Sequence, residues 1–440
     1  MAATVVDRRA QIRRVSYTQT TIGGTAIGRA GRRQFVARDG QLPREQLAAT
    51  SLTPKAVNLA LQGGGAHGAI TWGVLDRLLE DARITFDGIS ATSAGAMNAV
   101  ALAYGWTIGG REAAKSALAR FWDGVRDIAG FGRLEPSRLD WTRHDSLRAW
   151  PGSGFMDLMS RSSLTDMLTG LFSPYEFNPL NINPLRDLLT ATVDFEALRS
   201  PHCPIKLFIS ATNVRTGKIK IFEGSELTAD MVMASACLPQ LFHAVEIDGE
   251  HYWDGGLVGN PAIFPLIHNC ANRDILVVRV SPFFRQEAPR SAREIRERTI
   301  EISLNAALIR ELGVIALVTQ LIDGGHISDD ALRQVRLHCI SADEAVTNLP
   351  RDSRLCPDGD YLRVLRDVGR RQADAWLDAN FAMLGRTSTI DFRKEFARSE
   401  RSTSPAALTP AATTTSATSA FSAFMEAFLR VGLAPFKEAL

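Results

Sequence analysis

Three short stretches of this chain carry the residue types that acyl-transfer chemistry needs. Ser93 stands in Gly88-Ile89-Ser90-Ala91-Thr92-Ser93-Ala94-Gly95-Ala96-Met97. A serine at the tip of a tight strand-to-helix turn keeps its hydroxyl exposed, and the N-terminus of the following helix favours negative charge developing beside it. Upstream, Leu61-Gln62-Gly63-Gly64-Gly65-Ala66-His67-Gly68 is a glycine turn whose backbone an oxyanion can approach closely, with the amides of Gly64 and Gly65 as donors. Far downstream, Asp254-Gly255-Gly256 supplies a carboxylate. A nucleophile, N–H donors and a base are the parts of a hydrolase.

Each stretch also has a plainer explanation. Thr92-Ser93-Ala94-Gly95 alone is a small-residue helix start, and Asp254-Gly255-Gly256 alone is a tight turn. Gly63, Gly65 and Gly68 also fit the G-x-G-x-x-G of a dinucleotide loop, which uses the same exposed amides. Against that, the serine elbow follows within one strand, and Asp87 precedes the elbow instead of ending a ribose-binding strand. A P-loop lacks its Gly-Lys-Ser/Thr ending.

The elements that must position these residues follow from periodicity. Ala56 to Leu61 is a buried strand, and Gly68 to Glu80 has helical spacing of Ile70, Val74, Leu75 and Leu78. Phe86 to Ala91 is a second strand and Ala94 to Tyr104 its helix, which together imply parallel strands joined by helices. Between Gly105 and Pro204 scattered Gly and Pro predict mixed helices and loops that roof the site. Ile205 to Ala211 pairs with Ile219 to Phe222 as a hairpin, and a second hairpin from Phe242 to Trp253 turns at Asp248-Gly249 and delivers Asp254 at its exit. Ile275 to Val280 and Val335 to Ile340 are further strands, with helices at about 292–322 and 361–384. The fold class is α/β, with a central, mostly parallel sheet flanked by helices.

At 440 residues, 45% hydrophobic and 22% charged, the chain suits one large α/β domain with appendages, or two domains. The net charge of +2 gives no global reason to expect a nucleic-acid partner. Residues 1–54 form a basic arm whose composition is that of a disordered leader; targeting or contact with an anionic membrane are its other uses. The catalytic body spans 55–386, with a helical part at 290–386; 387–420 reads as a Ser/Thr/Ala/Pro linker. In 421–440, Phe421, Phe424, Met425, Phe428 and Leu429 fall on one helical stripe. Cys203, Cys237, Cys270, Cys339 and Cys356 show neither disulfide nor zinc spacing, which fits a reducing, cytoplasmic setting. No uninterrupted apolar run reaches the roughly 18 residues that cross a bilayer, so membrane contact is expected to be peripheral.

The three motifs in this order resemble the patatin-like phospholipase family, whose pattern is a glycine-rich oxyanion loop, a G-x-S-x-G elbow and a D-G-G/A motif. The resemblance runs from about Val57 to Ile267 and includes Ala211-Thr212-Asn213, Ala234 to Pro239, and Asp254 to Pro261. It implies a three-layer patatin-like sandwich and a lipid acyl hydrolase of phospholipase A or lysophospholipase type, requiring no metal or organic cofactor. It also implies Ser93 as nucleophile, Asp254 as sole base of a Ser-Asp dyad, Gly63, Gly64, Gly65 and Gly68 as oxyanion loop, and Gly95, Gly255 and Gly256 as motif support.

Two positions depart from the pattern. Ala91 replaces the first elbow glycine, and His67 stands where the family usually has Arg or Lys, which makes any charge assistance pH-dependent. A weakly basic free aspartate predicts that burial raises the Asp254 pKa. His251, His243 or His67 would complete a conventional triad instead, and a catalytically weak patatin fold that binds a membrane or partner is the competing function.

Overall fold

The computed structural model describes residues 54–130, 173–329, 332–343, 346 and 359–390. The basic arm, 391–440 with most of the linker and the apolar stripe, and the middle of the expected roof lie outside the described residues.

Eight strands form one sheet: β1 (Lys55–Leu61), β2 (Ile84–Ala91), β3 (Lys206–Asn213), β4 (Ile219–Glu223), β5 (Val245–Ile247), β6 (Glu250–Asp254), β7 (Asp274–Arg279) and β8 (Arg336–Ser341). Their order is β5-β6-β3-β2-β1-β7-β8, with β4 also paired to β3. From β3 through β8 along this path the pairings are parallel, whereas β4, β5 and β6 join antiparallel.

A parallel sheet needs cover on both faces, and alternate residues of one strand reach two different cores. Leu59, Ile89, Leu207, Ile209, Leu276 and Val278 pack in one cluster with α1 (Gly68–Glu80), α2 (Ala94–Gly130) and α9 (Gly359–Asn380). Ala60, Phe208, Ile275, Val277 and Leu337 pack in the other with α7 (Phe264–Asn269) and α8 (Ala292–Asp323). The result is a three-layer helix–sheet–helix arrangement. Along the chain, α3 (Pro174–Phe177), α4 (Pro184–Thr192) and α5 (Phe195–Arg199) precede β3, and α6 (Ala229–Ser235) follows β4.

Several elements extend beyond their expected bounds. The helix after the elbow continues to Gly130, bending at Gly109 and Gly110, so residues 105–130 of the expected loop-rich roof are helical. Asp248 (φ 53°) and Gly249 (φ 78°) both take the left-handed conformation of a tight hairpin turn. The first linker residues are docked on β8: Thr389 N–H donates to Leu337 O (3.0 Å), and Ser388 Oγ accepts from Leu337 N–H (3.0 Å).

Helix α8 bears on the expectation about membrane-spanning segments. By length and composition alone, residues 294–323 could cross a bilayer: their most apolar 18-residue window has a mean hydropathy of 1.6. Polar residues interrupt the run, which is why a search for unbroken apolar sequence misses it. In the fold this helix starts with a Ser291–Glu294 capping box and sends Leu308, Leu312 and Ile315 into the second core.

Candidate active site

The glycine turn is anchored by the residue before it. Gln62, wholly buried at the end of β1, accepts the N–H groups of Val280 and Ser281 at its Oε1, both at 2.9 Å. Its Nε2 donates to Asn305 Oδ1 of α8 (2.8 Å), and Asn305 Nδ2 in turn donates to Pro282 O (3.1 Å). A buried amide with every polar atom engaged holds its neighbours in one arrangement. The turn therefore leaves β1 in a set direction.

The four loop glycines have different tasks. Gly63 presses against the elbow: a Cβ there would stand 2.6 Å from Ser93 Cβ and 2.8 Å from Thr92 O. Its N–H donates to Asn260 Oδ1 (2.7 Å). The Gly68 N–H turns back to the Gly65 and Ala66 carbonyls. Among the described residues the N–H groups of Gly64 and Gly65 meet no acceptor, and Gly65 holds φ at 59°. Of the four glycines of the expected oxyanion loop, the two named as donors are therefore the two whose amides are not engaged inside the protein.

Ser93 takes the left-handed conformation, φ 55°, which an L-residue adopts only under constraint. The constraints are visible on both sides. Ser93 N–H donates to Ser235 Oγ at the end of α6 (2.9 Å), Thr92 Oγ1 donates to Gly259 O (2.8 Å), and α2 begins at once with Gly95 N–H on Thr92 O (2.9 Å). Ala91, the departure from the elbow pattern, is wholly buried inside β2, opposite Leu61 and Ile209. Its methyl group is accommodated in the sheet, and the unusual torsion falls on Ser93.

Sheet register brings Asp254 to this turn. Ile209 of β3 pairs with both Ala91 and Phe222, and Ala211 pairs with both Asp254 and Lys220. Since β4 occupies one edge of β3 throughout, β2 and β6 must share the other. Strand β2 ends opposite Ile209, and two residues farther along that same edge, about 7 Å, stands Asp254.

The carboxyl is 3% exposed and near enough to the Ser93 side chain for that hydroxyl to favour its charged form. Its Oδ1 accepts the Gly256 N–H (2.7 Å); its main chain is held by Cys237 O (2.8 Å) and by Thr212 Oγ1 (2.8 Å). Burial pushes its pKa up to about 6, with the Gly256 and Ser93 contacts opposing the rise. Burial, together with this neighbouring carboxylate, pushes the Cys237 thiol up to about 12.

The contacts of His251 and His243 are with other groups. His251 is exposed with Nε2 3.9 Å from Glu246, and His243 stacks on Tyr175 with Nε2 3.1 Å from Pro174 O. His67 is buried at the end of the glycine turn. Among the described residues no group of His, Cys, Asp and Glu is placed to hold a metal ion. Gln62, Asn305 and the bonding role of Ser235 were not anticipated from sequence. The one available signal was a polar residue, Asn305, at a position where the helical pattern of α8 calls for an apolar one.

A three-layer α/β body thus carries the serine elbow, the glycine turn and the Asp-Gly-Gly exit. Residues 59–267 match the family model of patatin-like phospholipases, and the chain carries a patatin-like phospholipase domain over that stretch. Among solved structures, VipD from Legionella pneumophila is 17% identical, with 74% of this chain and 67% of that chain covered and a TM-score of 0.37. ExoU in its complex with SpcU, from Pseudomonas aeruginosa, is 16% identical, with a TM-score of 0.29; 74% of this chain is covered, and this chain spans 52% of that one. No curated protein matches the sequence.

Proposed function

We propose that this protein is a lipid acyl hydrolase of phospholipase A or lysophospholipase type, working through Ser93 and Asp254. Ser93 Oγ attacks the ester carbonyl carbon while Asp254 takes its proton, and the N–H groups of Gly64 and Gly65 hold the oxygen that becomes negative. The alcohol leaves with the proton from Asp254. Water then attacks the acyl-serine, again giving its proton to Asp254, and as the acyl C–Oγ bond breaks Asp254 returns that proton to Ser93 Oγ and the fatty acid departs.

One observation carries this reading: a serine held at φ 55° lies in range of a buried carboxyl whose pKa is about 6, beside a turn with two unengaged amides. A base with a pKa close to neutral is both ionised and able to accept a proton, a combination that an exposed aspartate lacks. A lipid substrate places the reaction at a membrane surface, with the chain as a peripheral visitor.

The test is fluorophosphonate labelling together with hydrolysis of phospholipid vesicles and of a soluble ester. Native protein labels and turns over, and Ser93→Ala does neither. Absence of labelling in a folded native protein would instead favour a binding role. Loss of turnover in His251→Ala, His243→Ala or His67→Ala alone, matching the loss in Ser93→Ala, would reject the dyad in favour of a triad.

A further inference from the structure

Asn260 lies beyond the Asp-Gly-Gly turn and plays no part in the acyl-transfer steps, yet it joins the two halves of the site. Its side chain is buried, at 1% exposure. Oδ1 accepts the Gly63 N–H at 2.7 Å, a bond that spans 197 residues of sequence. On one side Gly63 rests against Ser93; on the other, the Asn260 side-chain carbon lies 3.9 Å from where a Cβ of Gly256 would be, and Gly256 is the residue whose N–H binds the Asp254 carboxyl.

Only the carbonyl end of this amide is engaged. Nδ2 is equally buried and meets no acceptor among the described residues. Buried polar atoms are ordinarily paired, and an unmade bond of this kind penalises stability. Here one end is seated, on the first amide of the glycine turn.

We propose that Asn260 is a positioning residue of the acyl-transfer site. By taking the Gly63 N–H it sets the glycine turn against Ser93, so that the next two amides, of Gly64 and Gly65, remain free for the ester oxygen. The proposal rests on the hydrolase reading, because positioning matters to rate only if an oxyanion forms there. Without the acceptor the turn rotates to seek another, and the donors lose their aim while ground-state binding of the lipid is unaffected. The effect belongs in kcat and not in KM.

Two variants test this, with a soluble ester, hydrogen exchange at residues 63–65 and a thermal melt. Asn260→Ala removes the acceptor: kcat falls about 100-fold, the scale of losing one oxyanion donor, KM changes less than about threefold, and the Gly63 amide loses its protection. Asn260→Asp retains an acceptor oxygen in place. Its kcat at alkaline pH returns to within about tenfold of native, while the added carboxyl beside Asp254 moves the acidic limb of the pH profile upward.

A folded Asn260→Ala with native kcat, a loss confined to KM, or an Asp variant no better than the Ala variant overturns the proposal. If Asn260→Ala does not fold, the Asp variant decides alone, with a 100-fold loss on the alkaline plateau counting against it. If native protein shows no Ser93-dependent hydrolysis, the hydrolase reading fails separately. Exchange then still decides the contact: unchanged protection in the variants refutes it, and lost protection upholds Asn260 as the residue that sets the turn.

Discussion

Replacing Asp254 by asparagine measures what the site costs the fold. The carboxyl is 3% exposed and has a pKa of about 6, against 3.8 for a free aspartate. Over the window between those values the folded state keeps a proton that the unfolded chain has released. Because the folded pKa is the higher one, this group's contribution is fully favourable below the unfolded value and is lost as the pH rises through 6. A displacement of about 2 units, at about 1.36 kcal/mol each, amounts to about 3 kcal/mol at pH 7.5, of which only about 0.5 kcal/mol is felt at pH 4.

Asparagine has nearly the same shape, can still accept the Gly256 N–H and cannot ionise. The Asp254→Asn protein should therefore gain stability over native by a margin that widens by about 2 to 3 kcal/mol between pH 4 and pH 7.5, while losing ester turnover. Urea unfolding followed by tryptophan fluorescence at the two pH values gives that margin. All other titrating groups are common to both proteins and cancel in the comparison. A margin constant to within about 0.5 kcal/mol would refute burial of the charge as the cause of the raised pKa. One that narrows would reverse the sign.

The same pKa governs rate: kcat/KM on a soluble ester should rise about tenfold per pH unit at low pH and level off above about pH 6 to 7, leaving about a tenth of the plateau at pH 5. A limb centred near pH 4 would contradict it. Ser93→Gly should exceed Ser93→Ala in unfolding free energy by about 1 kcal/mol, since only glycine adopts φ 55° without strain; equal denaturation midpoints would argue against a strained elbow. In Gly95→Ala the new Cβ meets the Leu61 carbonyl oxygen, backbone that cannot turn aside, and a loss of about 2 to 3 kcal/mol is expected from the denaturation midpoint. Gln62→Leu strips the Val280 and Ser281 N–H groups of their acceptor; unfolding should become easier by about 3 kcal/mol, and an unchanged midpoint would remove Gln62 as the anchor of the turn.

Local rules made much of this protein legible in its sequence. Periodicity located the strand at 56–61 and the helix at 68–80, and Asp248-Gly249 announced a hairpin turn whose two positive φ values the structure contains. These features depend on neighbours within a few residues, so the neighbours themselves reveal them. The amphipathic or buried character of a segment likewise needs no partner to be read. Even the serine elbow is local, since a strand, two small polar residues and a helix start define it.

Tertiary structure alone decided what those elements do together. Strand β6 takes over the edge of β3 where β2 ends, and no periodicity in any of the three announces that succession. It places a carboxyl from residue 254 beside a hydroxyl from residue 93 and buries it, which raises its pKa. The same closure engages the amide of Gly63, while that of Gly68 is engaged within its own turn and those of Gly64 and Gly65 stay unengaged. In the sequence these four glycines are chemically alike. Gly63 is set apart only when a distant side chain, that of Asn260, comes within hydrogen-bond reach, because such a bond depends on separations in space that chain order does not encode.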